Sequence, residues 1–71
     1  MELIEHEKQE RLSREEAAQR LRELADSLSR NNEVAFVRGG VRHTVKVPAE
    51  VTLKVEVEVG EESEIEVEIS W

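Results

Sequence analysis

The sequence predicts an α+β fold: one amphipathic helix packed on one face of an antiparallel four-stranded sheet, with a fifth, N-terminal edge strand left open. Three observations carry that expectation. Residues 51–71 alternate apolar and polar side chains, with a single break at Gly60-Glu61-Glu62. A period of two sends successive side chains to opposite faces of a strand, so this stretch is a hairpin with one oily and one acidic face. Ala17, Ala18, Leu21, Leu24, Ala25 and Leu28 instead recur at helical spacing and trace one stripe. Between these segments, Gly39-Gly40 supplies the two positive-φ positions of a tight hairpin turn.

Taken in order, residues 2–11 are the least determined. Leu3 and Ile4 precede a charged run with good helix propensity and no apolar stripe. A polar edge strand and a frayed extension of the next helix both fit; the strand is preferred, because charge is one way a sheet edge avoids unwanted pairing. Ser13-Arg14-Glu15-Glu16 then matches a capping box, with Leu12 placed to staple onto Ala17. The helix should run from Arg14 past Leu28 and stop near Asn31-Asn32, residues that tolerate left-handed conformations. After it, Val34, Phe36, Val45 and Val47 share one face of the Gly39-Gly40 hairpin, with Phe36 opposite His43. Pro48 cannot donate to a ladder and closes that strand. In the last hairpin, a three-residue loop sets Glu58 against Glu64, Glu56 against Glu66 and Lys54 against Glu68.

Seventy-one residues make one small domain, 1–71, with a thin core. Chains of this size commonly need a staple. With no cysteine, neither a disulfide nor a thiolate metal site can supply it, and a reducing cytoplasm is compatible. No apolar run approaches the roughly 20 residues needed to cross a bilayer, and residues 1–5 lack the basic start and apolar core of a signal peptide. The expectation is a cytoplasmic protein without membrane contact. A net charge of −7 disfavours phosphate backbones and suits a basic protein partner or high solubility.

Ser13-Arg14-Glu15-Glu16-Ala17-Ala18, Leu21-Arg22-Glu23-Leu24-Ala25, Val45-Lys46-Val47-Pro48, the valine-alternating run over 51–59 and the strand over 65–71 ending on Trp71 form a pattern that spans nearly the whole chain. In this order it resembles the amphi-Trp domain proteins, small prokaryotic proteins named for amphipathic strands and a closing Trp. The resemblance implies the α+β fold described above. It assigns no activity and no catalytic residue.

Chemistry is sparse. His6 and His43 are the only imidazoles, and neither has a His or Cys partner at ligand or nucleophile spacing. His43 reads as a partly buried or edge residue beside Phe36, and His6 as a surface residue. Glu56, Glu58, Glu64, Glu66 and Glu68 form an open acidic face, which solubilises or docks a basic partner. A carboxylate pair doing acid–base work needs a desolvated concavity, which an open sheet face does not offer. No nucleophile elbow, phosphate loop or calcium-loop spacing occurs. The sequence therefore predicts no enzyme, no metal and no cofactor.

Partner binding is the remaining class. A helix of about 15 residues is roughly 22 Å long and about 10 Å wide, whereas four or five strands span about 19–24 Å. One helix leaves part of the apolar face bare, and contiguous leftovers mark interfaces. Trp71 and Ile69, on the outer strand, are the expected anchors. Trp71 capping the core beside Leu53 or Val51 is the equally weighted alternative. Arg42 and Lys46, on the polar parity of the middle strands, complete the candidate set, because a face running from basic to acidic suits a copy turned about a two-fold axis. The expected function is protein binding or self-association as a homodimer. The alternatives are a small enzyme or ligand carrier using His43 and neighbouring Glu, or ligand or nucleic-acid binding by the basic middle strands through Arg38, Arg42, Lys46 and Lys54. The latter is disfavoured because no aromatic lies among those residues for bases to stack on.

Overall fold

A computed structural model describes residues 6–71. Helix α1 spans Arg14–Asn31, and the strands are β1 (Glu33–Arg38), β2 (Val41–Lys46), β3 (Thr52–Glu58) and β4 (Glu64–Ser70). The class is α+β, as the sequence patterns require. Ser13 is extended and its Oγ accepts from the Glu16 amide at 3.1 Å, so the predicted cap forms. Leu12 is half-buried and lines one groove with Ala17, where the staple places it. Asn32, at φ 54°, ends the helix in the left-handed region.

Both hairpins adopt the registers read from their turns. Gly39 and Gly40 have φ of 59° and 75°, and the ladder sets Phe36 opposite His43 and Val34 opposite Val45. The second hairpin pairs Lys54 with Glu68, Glu56 with Glu66 and Glu58 with Glu64.

The four strands do not form one sheet. β1–β2 and β3–β4 are separate two-stranded sheets, which corrects the expected four-stranded sheet. The connection between them explains the split. Pro48 fixes its own φ, lacks an amide hydrogen and holds Val47 extended. The Val47 amide donates to the Asn32 carbonyl at 2.9 Å, tying the end of β2 back to the helix terminus. Residues 47–51 thus make a wide bend instead of a tight turn, and β3 leaves the edge of β2. The N-terminal edge strand fails as well where it can be followed: residues 6–12 are irregular. Its first part, residues 2–5, lies outside the described residues.

Helix α1 lies closest to β1. Among the described residues none is fully buried; Ala18, Leu28, Val34, Phe36, Val47 and Ile69 are half-buried where the helix and the hairpins converge. Full burial of a Val, Leu or Ile contributes about 1.5–3 kcal/mol, so half-burial captures only part of that.

Candidate interaction surface

Period-two strands and a 3.6-period helix bring their apolar rows to one place. Leu21, Leu24 and Leu28 from α1, Val34, Val45 and Val47 from the first hairpin, and Val67, Ile69 and Trp71 from the last strand line an open cleft of about 330 Å³. All nine side chains are apolar. The rows face as the alternation requires, with Val67 beside Leu24 and the carboxylates of β3–β4 on the opposite face. Trp71 remains 64% exposed at the rim, while Ile69 is half-buried inside. The Trp therefore borders the cleft without sealing it.

Beyond the helix, the turn end of the second hairpin is bare. Val59 is 82% and Ile65 72% exposed. Val57, Val59 and Ile65 line a shallow groove with Glu58, Ser63 and Glu64, and no helix residue takes part.

The candidate residues divide between two faces. Trp71 and Ile69 share the cleft. Arg42 and Lys46 alternate with Val41, His43 and Val45 on β2, so they sit on the face turned away from it, paired with Val37 and Glu33. Lys54 belongs to the other sheet and meets Glu56 at 3.7 Å. The middle-strand cations are therefore not one patch.

Two contacts escaped the sequence patterns. His6 stacks on Phe36 at a centroid distance of 4.7 Å, and His43 stacks on the same ring at 5.2 Å. Both are near-parallel, at 23° and 18°. Such ring pairs contribute about 0.5–1.5 kcal/mol beyond their burial. The His43–Phe36 pair was legible as a cross-strand register, whereas His6 reaches Phe36 across 30 positions of sequence. The second contact centres on Glu10, whose carboxylate lies 3.0 Å from Lys8 and 3.0 Å from Arg20 of α1. The Lys8 hydrogen bond, helped by the charge of Arg20, holds Glu10 below the usual carboxylate range. Residues 6–10 thus form a strap from Phe36 to the helix, and Glu7 and Lys8 border β4 beside Glu66, Val67 and Glu68.

Among the described residues, no group of three His, Cys, Asp or Glu side chains is arranged to hold a metal ion. No described helix is long and apolar enough to cross a membrane.

Neither curated proteins nor solved structures give a match to the chain. The family model of the Amphi-Trp domain matches residues 1–71, the full sequence. The chain, with its amphipathic strands and capped helix, belongs to the Amphi-Trp domain family.

Proposed function

We propose that this acidic domain is a non-enzymatic, self-associating protein-interaction module that works through the apolar surface bordered by Trp71. One observation carries the reading: an all-apolar cleft stays open in a chain with no fully buried described residue. Water against such a surface is costly, at roughly 25 cal/mol per Å² left uncovered. Contiguous bare apolar patches mark binding sites in soluble proteins. Trp71 suits an anchor, since it offers a large exposed apolar side chain and Trp is enriched among the residues that dominate binding energy. The cysteine-free sequence and the family resemblance fit a prokaryotic cytoplasmic setting. Binding through the basic strands has less support, because Lys54 is separated from Arg42 and Lys46 and is already engaged with Glu56.

Sedimentation over a wide concentration range tests the reading. The protein should sediment heavier than its 8.2 kDa chain as concentration rises, and Trp71→Ala should shift association to higher concentration with the helical signal retained. Association unaltered by Trp71→Ala would remove the cleft rim from the interface.

A further inference from the structure

We propose that the partner is a second copy of this chain, joined edge to edge along β3 in antiparallel register about a two-fold axis through Val55. This rests on the self-association reading and specifies its seam.

Surface area sets the size of what is missing. A compact chain of 8.2 kDa exposes about 4,500 Å². This one exposes 6977 Å², an excess of roughly 2,400 Å². Obligate pairs bury about 2,000–5,000 Å² in total, half from each partner. The excess is the amount one protomer of such a pair contributes.

The strand edges say where. Among the described residues β3 pairs only with β4, so its other edge carries unsatisfied amides and carbonyls over seven residues, with no proline or bulge to blunt it. β4, by contrast, is bordered by Glu7 and Lys8 of the strap beside Glu66, Val67 and Glu68. Charge separates the two edges further. Opposed residues in an antiparallel pair point to the same face, so a symmetric seam that keeps apolar rows together centres on a residue and not between two, and one that engages the whole strand centres on its middle residue. A two-fold axis at Val55 sets Lys54 against the partner's Glu56 and, by symmetry, Glu56 against the partner's Lys54. Leu53 meets the partner's Val57, and all seven residues of β3 find a counterpart. The same operation on β4 at Val67 sets Glu66 against the partner's Glu68, twice. On β2, an axis at His43 brings no opposite charges together, and on β1 an axis at Phe36 brings none. Self-complementary charge is the reason the occupant is a copy, since an isologous contact asks each surface to fit itself.

The register also addresses the bare end. The Leu53 end of β3 lies by Ile69, which lines the open cleft together with residues of α1, and the Val57 end lies by exposed Ile65. Pairing Leu53 with the partner's Val57 brings the bare turn end of each hairpin beside the end of the other chain's hairpin that lines its cleft. The product is a four-stranded sheet, β4–β3–β3–β4, assembled from two chains.

Charge exchange and cross-linking test the seam. Lys54→Glu and Glu56→Lys should each weaken the dimer about tenfold or more, since symmetry doubles every reversed pair. An equimolar mixture of the two variants should dimerise at least as tightly as the unaltered protein, because opposite charges then meet at all four positions. A loss of folding cannot be repaired by mixing. The chain has no cysteine, so Val55→Cys is a clean probe. Opposed Cα atoms in an antiparallel pair lie about 4.5–5.5 Å apart, inside the disulfide range, and the variant should cross-link on mild oxidation while Val67→Cys does not. A protein that dimerises but cross-links through Val67→Cys, or whose charge variants fail to pair on mixing, would overturn the β3 seam and leave self-association standing. A folded monomer at every concentration would overturn both.

Discussion

Glu66 shows how closely the acidic face is loaded. Glu56 stands opposite it across the ladder, and Glu64 lies two residues before it on the same face. The shared hydrogen bond with Glu64, reinforced by that neighbour's charge, pushes the Glu66 carboxyl above its usual range, and Lys54 pulls weakly the other way. The sign for stability follows directly. A carboxyl whose folded pKa is raised holds its proton more tightly in the folded state, so its contribution is present in acid and lost as pH rises through the carboxylate range. Glu10 is the opposite case: held low by Lys8 and Arg20, it stabilises the fold above the carboxylate range and loses that contribution as pH falls. Thermal melts at neutral and acidic pH should therefore separate two variants. Glu66→Gln should melt above the unaltered protein at neutral pH, with the gap closing in acid. Glu10→Gln should melt below it at neutral pH, with that gap closing too. Gaps that ignore pH, or that carry the reverse signs, would show these carboxylates are placed differently.

At the scale of elements, short-range rules carried most of the weight. The Ser13 cap is local chemistry: an extended Ser places its oxygen 3.1 Å from the Glu16 amide and satisfies a helix donor that would otherwise lack a partner. Ser13→Ala should lower unfolding free energy by about 1 kcal/mol, and Ser13→Asp should retain most of it. Urea titration checks this: the midpoint should fall while the slope stays unchanged, since a slope change would mean the cap does more than end a helix. Hairpin registers were legible for the same reason. Gly39-Gly40 fixes one ladder and the break after Val59 fixes the other, so Phe36–His43 and Lys54–Glu68 follow by counting. The relation between the hairpins was not legible. Alternation says which face of β3 is apolar and is silent on which strand lies beside it, and the Val47–Asn32 hydrogen bond that turns β2 away leaves no trace in composition. The candidate site was half legible on the same logic. Trp71 and Ile69 could be assigned to the apolar row, whereas the strap joining His6 to Phe36 and Glu10 to Arg20 depends on contacts between segments distant in sequence. The polar parity of Arg42 and Lys46 was legible from the alternation, whereas their grouping with Lys54 assumed one sheet, and Lys54 belongs to the other.

For the whole molecule, size and charge pull in opposite directions. A compact chain of 71 residues has a radius of gyration of about 11 Å, and this chain has 14.0 Å with no described residue fully buried. A fold so open gains little from its own packing, so covering the cleft and the bare hairpin end would add to its stability. If that cover is a second chain, folding and association are linked, and the melting temperature depends on protein concentration through mass action. Each chain also carries a net charge of −7, and association doubles the charge held in one particle. That repulsion acts over distances comparable to the screening length, about 10 Å at 0.1 M salt, so added salt relieves it. Lys54–Glu56 pairs at the proposed seam would lose some strength under the same conditions, but exposed pairs of this kind are worth well under 1 kcal/mol each. Repulsion between whole chains therefore outweighs them. Calorimetric scans should show the melting temperature rising with protein concentration at fixed salt, and rising with salt at fixed concentration. A midpoint independent of concentration would place the missing cover inside a single chain, with the two hairpins closing on the helix. A midpoint that falls with salt would mean specific ion pairs, and not apolar area, hold the assembly together.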